Sequence, residues 1–290
     1  MSKPKLYVID ISNIIHRAFH VHGDLMNSSG FPTGAIYGTF SILMNWIRDV
    51  VPENILICYD WQESATVRKS LYPLYKANRT QVNAVSAQEK VIRRMIEHLG
   101  MASREVPGYE ADDVIGAAVK KYKEDYNIEI ITGDKDLMQL VQSGVTMYDQ
   151  RKKMRYYHDD VIDKFGVRPD QIQDFLAIVG DKADNIPGVK GVGEKGAVKL
   201  LNDFESLEKI YESLDSIKGA TRKKLEESKD NAFLSKTLAT LYKDISIGDK
   251  DIRFKPVYNE ELIKLFGMLE FSDNSIFKLN NLWKTYERNK

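Results

Sequence analysis

The stretch Gly108–Asp113, G-Y-E-A-D-D, brings three carboxylates, Glu110, Asp112 and Asp113, into four residues at the start of a helical pattern. Glu110 and Asp113 are three apart and share a helix face, while Asp112 points to one side, so the first turn presents acid in two directions. Free N–H groups and the helix dipole favour negative charge there, and taken alone the stretch is explained by a well-capped, solvated helix start. Six further acids change the weighing. Asp10, Asp60, Asp134 and Asp136 follow short apolar runs rich in branched residues, and Asp181 and Asp184 precede a glycine-rich string. No histidine or cysteine accompanies these nine carboxylates. An all-oxygen donor set selects hard cations, Mg²⁺ with Mn²⁺ as substitute, over zinc. Nine is too many for one such ion; two or more suit the count. A pair about 4 Å apart would activate a water and stabilise both oxygens of an in-line phosphoryl displacement.

So acidic a site needs basic groups from outside it before a phosphodiester can bind. Lys+Arg and Asp+Glu are both 42, so net charge gives no hint of nucleic acid, but Thr66 to Arg104 holds eight bases against two acids. Within it, L-Y-P-L-Y-K-A-N-R sets Lys76 and Arg79 beside Tyr72 and Tyr75, bases for phosphates and rings for stacking unpaired nucleobases. Alone, such a stretch is an ordinary exposed loop. The second signal is Gly188 to Lys195, G-V-K-G-V-G-E-K. Its glycines allow a tight turn between helices that brings N–H groups against phosphate, the pattern of a helix-hairpin-helix, which contacts backbone without reading bases.

The elements that must position these groups follow from periodicity. Lys5 to Ile11, Asn54 to Tyr59 and Ile128 to Thr132 read as buried strands, each delivering an acid at its end. Helical spacing over Ala35 to Val50, and over Ser86 to Leu99 with Ser86 as N-cap and Glu89 completing a capping box, separates them. Such alternation predicts an α/β fold with a mainly parallel sheet, where ligands bind beyond the carboxyl ends of strands. Trp61 to Val85 loses apolar periodicity and reads as a mobile insertion. Val145 to Tyr148 and Lys153 to His158 read as a hairpin. After about Phe165 the pattern is all helical: Asp170 to Val179, then Lys195 to Asn202, Leu207 to Ser213, Ala220 to Glu227 and Asn231 to Tyr242. The expected organisation is an α/β core over 1–166, including an arch segment at about 61–85, and a helical region over 167–290 with the hairpin motif at about 180–203.

The chain's 43% hydrophobic residues suffice for a sizeable core. No run of about eighteen apolar residues and no secretory h-region occurs, so a cytoplasmic location is the default. Cys58, the single cysteine, sits in an apolar run and reads as a buried small hydrophobe. Asp10-Ile11-Ser12 lacks the second aspartate a phosphatase start requires. His16 and His20 have metal-compatible spacing but no acid or cysteine in register, and read with His22 as surface or groove residues.

Three ordered motifs, V-P-G-Y-E-A-D-D, I-T-G-D-K-D-L-M-Q-L and V-G-D-K-A-D-N-I-P-G-V-K-G-V-G-E-K, resemble the 5′-nuclease family, which includes phage flap endonucleases and the N-terminal 5′–3′ exonuclease domain of bacterial DNA polymerase I. The similarity runs from Leu6 to about Leu279. It implies a helical arch on the α/β core and a helix-hairpin-helix region after it. It implies a first metal cluster at Asp10, Asp60, Glu110, Asp112 and Asp113, and a second at Asp134, Asp136, Asp181 and Asp184. Tyr75 would stack near the scissile nucleotide, Lys76 and Arg79 would bind and polarise the phosphate, and Arg68 matches a basic arch position. Duplex would be bound by Lys190, Gly191, Gly193, Lys195 and Lys199, with a K⁺ ion held through turn carbonyls. The implied activity is that of a Mg²⁺-dependent, monomeric, structure-specific 5′ nuclease acting on DNA flaps, nicked duplexes or RNA primers in RNA–DNA hybrid, leaving 5′-phosphates. Ending at Lys290, it would be a stand-alone nuclease or an excised domain, in functional association with a DNA polymerase. Retention of all nine carboxylates counts against a catalytically silent branched-DNA-binding protein. The arch and hairpin segments count against a compact ribonuclease.

Overall fold

A computed structural model describes residues 3–62, 66–78 and 83–287. Among them, β1 (Lys5–Asp10), β2 (Ile55–Cys58), β3 (Ala102–Arg104), β4 (Asn127–Ile131), β5 (Val145–Asp149) and β6 (Met154–Tyr156) form one sheet in the order β3-β2-β1-β4-β5-β6. The first five run parallel and β6 closes the edge antiparallel to β5. The central strands are largely apolar because helices cover both faces, the buried Glu129 of β4 being paired with Arg155 and Lys5. Alternation within each strand sorts its side chains. Tyr7, Ile9, Ile55 and Ile57 enter one core with α1 (Ile11–His22) and α2 (Gly34–Val50); Leu6, Val8, Leu56 and Cys58 enter the other with helix Ala111–Tyr122.

The remaining described helices are α3 (Val67–Leu71), α4 (Asn83–His98), α5 (Ala111–Tyr122), α6 (His158–Phe165), α7 (Ile172–Val179), α8 (Glu194–Phe204), α9 (Leu207–Glu212), α10 (Gly219–Glu227), α11 (Lys229–Ala239), α12 (Glu260–Met268) and α13 (Asp273–Glu287). Helices α7 to α11 pack around Phe175, Ile178, Leu201, Leu207 and Ile210 in a second core that they share with α6 and the β5–β6 edge through Met147, Tyr156 and Val161. No described helix is long and apolar enough to cross a membrane.

Three expectations are corrected. The cap of α4 is not Ser86: Val85 is buried against the first core, so the helix begins a turn earlier and leaves Ser86 exposed within it. Glu89 pairs instead with Arg93 at 2.9 Å, and the buried Gln88 accepts from Ala35 N at 2.7 Å. Residues 66–78 are no loose insertion, since Arg68 and Tyr75 are buried. Finally, the chain after α11 does not stay with the helical region. Leu262, Phe266, Leu279 and Trp283 of α12 and α13 return to the first core, where the Phe266 ring meets Phe40 edge-on at 4.7 Å.

Candidate metal centre

Strand ends and helix starts coincide around the acids. Asp10 ends β1 and caps α1 directly, its Oδ1 accepting from Asn13 N at 3.1 Å. Thr132, just past β4, donates from Oγ1 to Asp10 Oδ2 at 2.7 Å and accepts from Asp134 N at 3.0 Å. Asn13 Oδ1 accepts from Gly133 N at 3.2 Å. The ends of β1 and β4 are thus laced together. Asp134 Oδ1 accepts from Asp136 N at 2.9 Å, capping the 3₁₀ turn Lys135–Leu140. Asp60, two residues past β2, accepts on Oδ1 from Ala111 N at 2.8 Å, which docks it on the N-terminus of α5. Beyond α7, Asp181 and Ile186 exchange backbone hydrogen bonds of 3.0 and 2.8 Å, and Asp181 Oδ1 accepts from Ala183 N at 2.7 Å.

Three of these acids feel one another's charge. Burial, then the neighbouring Asp60 and Asp134, lifts the Asp10 carboxyl to about 7 against the bonds from Asn13 and Thr132. Burial and Asp134 lift Asp136 to about 7 as well, with Asp181 and Asp184 adding to the effect. Burial, Asp134 and Asp10 hold Asp112 well above the usual carboxylate range. Asp134 is common to all three, so the two expected clusters adjoin through it. Lys135 meets Asp181 at 3.2 Å. Lys76, at a positive φ of 54°, donates from its backbone N to Asp184 O at 3.0 Å. Its ammonium lies 2.8 Å from Glu110 and 3.7 Å from Asp184. Burial opposes that charge, but Glu110 and Asp184 outweigh it and raise the lysine well above its ordinary value.

A hard divalent cation fits this donor set. The donors are all oxygen, their repulsion is what a cation relieves, and Asp136 Oδ1 is buried without a hydrogen-bond partner. As they lie, no three acid or histidine side chains among the described residues are close enough together to grip an ion.

Several expected site residues serve the scaffold instead. Asp113 is fully buried, and Arg68 Nη1 and Nη2 grip its two oxygens at 2.7 Å each. It also accepts from Tyr242 N at 3.0 Å and Glu110 N at 3.1 Å, so no oxygen is left for a metal. Arg68, only 3% exposed, further donates to the Leu238 and Thr240 carbonyls at 2.8 and 2.7 Å. It therefore presents nothing to DNA and ties α3 to α5 and to the end of α11. Tyr75, also 3% exposed, packs against Ile186 and Leu238 and donates to Glu110 at 3.0 Å, so its ring is not open for nucleotide stacking. The Glu110 oxygens accept from Lys76 on one side and from Arg68 and Tyr75 on the other. Although burial works against the charge, Lys76 and Arg68 hold that carboxyl below its ordinary value. Arg79 lies outside the described residues. Thr132, Asn13 and Lys135 were missed as site residues. Their one sequence signal is adjacency to a strand-end aspartate.

The hairpin is built on crossing backbone. A Cβ on Gly188 (φ +66°) would stand 2.5 Å from Gly180 N. Gly188 N and Lys190 N donate to the buried hydroxyls of Ser235 and Ser228 at 2.9 and 3.2 Å, so these two N–H groups are not available to phosphate. Lys190, Gly191, Gly193, Lys195 and Lys199 are exposed around the turn and the first turns of α8, with Lys199 paired to Asp203 at 2.6 Å. His16 and His20 are exposed on α1, and His22 meets the Tyr37 ring edge-on at 5.5 Å.

Residues 5–166 match the family model of the 5′–3′ exonuclease N-terminal resolvase-like domain, and residues 167–260 that of the 5′–3′ exonuclease C-terminal SAM fold. A 5′–3′ exonuclease of Aquifex aeolicus is 35% identical over 254 residues, 86% of each chain. DNA polymerase I of Caldicellulosiruptor bescii is 40% identical over 277 residues, 92% of this chain and 32% of that one, so the chain spans about a third of that relative's length. The fold is similar to a bacteriophage T5 flap endonuclease in a pseudo-enzyme–product complex with DNA and metal ions (TM-score 0.67, 19% identity, 98% and 99% of the two chains covered).

Proposed function

This chain belongs to the 5′–3′ exonuclease family, and we propose that it is a structure-specific 5′ nuclease that hydrolyses phosphodiesters at flaps, nicks or primer ends, leaving a 5′-phosphate and a 3′-hydroxyl. The observation that carries this is the shared field of Asp134 on Asp10, Asp112 and Asp136 at the carboxyl end of parallel strands. Asp10, Asp60, Asp112 and Asp134 would hold one Mg²⁺, and Asp136, Asp181 and Asp184 a second, with Mn²⁺ as substitute. Bound there, the ions supply an activated water and charge neutralisation for the attacking and leaving oxygens.

The chain's own groups do the positioning. Thr132 and Asn13 fix the carboxylates of Asp10 and the Gly133–Asp134 backbone. Lys76, between Glu110 and Asp184, is suited to donate to a non-bridging phosphate oxygen, and Arg79 joins it by its place in the motif. Asp113, each of whose oxygens already accepts two hydrogen bonds, would carry no direct metal role and sets Arg68, while Glu110 sets Lys76 and stays with the first cluster. Lys190, Lys195, Lys199 and the exposed Gly191 and Gly193 would face the duplex backbone, α7 to α11 forming the DNA-binding part. A monomer in the cytoplasm, working alongside a DNA polymerase on DNA or RNA–DNA substrates, completes the proposal.

Cleavage of 5′- and 3′-end-labelled flap duplexes with Mg²⁺ and with EDTA tests it. Mg²⁺-dependent products cut near the junction are expected, with Asp134→Asn abolishing cleavage while losing much less DNA affinity. Tight junction binding without product in Mg²⁺ or Mn²⁺ would instead make this a binding protein.

A further inference from the structure

The K⁺ ion that the resemblance implies at the Gly188–Gly193 turn meets a place that already carries charge. Lys224 of α10 donates from Nζ to the Gly191 carbonyl at 2.7 Å. Its stem lies along the same glycine: a Cβ built on Gly191 (φ +80°) would stand 3.1 Å from Lys224 Cε and 3.3 Å from Nζ. The neighbouring residues of the turn are fastened from the same side. Ser228, which follows α10, accepts from Lys190 N at 3.2 Å, and Ser235 of α11 accepts from Gly188 N at 2.9 Å. Both serines are buried, whereas Lys224 is half-buried with its ammonium at the rim. Ammonium and K⁺ are monovalent cations of similar size that seek carbonyl oxygen. Two of them cannot both sit against the Gly191 carbonyl without strong repulsion.

We propose that Lys224 replaces the alkali cation at this turn: its ammonium holds the Gly191 carbonyl and supplies a fixed positive charge behind the residues that meet phosphate. Lys224 is then a positioning residue, acting through Gly191 and the start of α8. The DNA half of this inference rests on the proposed duplex-binding role of the turn; the cation half does not. Two consequences follow. The unaltered chain has no K⁺ requirement at this turn, and removal of the ammonium opens a carbonyl site that K⁺ can fill.

The experiment has two readouts on the full chain. Without DNA, melting temperature is compared in KCl, NaCl and choline chloride at equal ionic strength. The unaltered chain is expected to melt alike in all three, and Lys224→Met to melt lower and recover selectively in KCl. With a fluorescent nicked duplex in EDTA, anisotropy is expected to give the unaltered chain the same Kd in KCl and NaCl within about twofold. Lys224→Met should bind about fivefold more weakly in NaCl, with partial rescue by KCl, and Lys224→Arg should bind as the unaltered chain does. Selective stabilisation of the unaltered chain by KCl, or a Lys224→Met chain indistinguishable in both readouts, would overturn the proposal. Should Lys224→Met fail to fold, the salt comparison on the unaltered chain and on Lys224→Arg still decides it. Failure of the unaltered chain to bind nicked duplex would remove the functional premise, while the melting comparison would continue to judge the cation.

Discussion

Asp10 and Asp136, both lifted to about 7 from an ordinary 3.8, take up protons in the folded chain that the unfolded chain has released. With EDTA, the stability they contribute is therefore greatest below pH 4 and falls as pH rises through about 7, because over that window the folded state binds more protons. A divalent cation must displace those protons, so it binds better at higher pH. Mg²⁺ is expected to raise the melting temperature more at pH 8 than at pH 6, each measured against EDTA; the reverse order would count against carboxylate ligation. Arg68 makes a different prediction. Removing it leaves Asp113 buried with no cation, and Arg68→Ala should cost about 3–5 kcal/mol in chemical denaturation. A variant of unchanged stability with weakened DNA binding would return Arg68 to the arch role.

Elements meet the site through their ends. β1 passes into α1 at Asp10 without a loop, and α5 begins against Asp60, so helix starts hold the acids in place. The hairpin depends on close backbone contact. Gly188 has a positive φ, and an added methyl would meet backbone of Val179 and Gly180 at 2.5–2.8 Å, where no side-chain rotation gives relief. Gly188→Ala is expected to destabilise by about 2 kcal/mol or more and to disturb Asp181 and Asp184, which lie between the two glycines. Circular dichroism melts and duplex affinity would both register the change. For the melts, Gly193, with open space around its Cβ position, is the control that should tolerate alanine.

The molecule as a whole closes on itself. Helices α12 and α13 lie far along the chain from β1 yet complete the core beneath α2, and Phe266 is fully buried there against Phe40. Phe266→Ala should cost about 3–5 kcal/mol through lost burial and the cavity left behind. Denaturant unfolding would then show an earlier midpoint with an unaltered slope if the first core and its C-terminal cover unfold together. Two separated transitions would instead mean that α12 and α13 detach independently.

The sequence by itself determined the strands, the acids that leave them, the helical second half and the glycine hairpin. All of these are local: periodicity of two or of 3.6, and residues that only certain turns accept. Even so, α1 and β3 escaped the sequence reading, one because it joins β1 with no turn residue to announce it, the other because it is only three residues long. Only the tertiary structure decided which carboxylates repel one another and which are spent. Asp112 and Asp113 are adjacent and chemically identical, yet one faces Asp134 and Asp10 while the other is locked by Arg68, forty-five positions away. Lys76 and Arg68 sit in one basic stretch, and their partners and depth separate a cation beside Asp184 from one spent on Asp113 and two carbonyls inside the scaffold. Charge pairing and burial are properties of neighbours in space, and long-range packing alone chooses those neighbours.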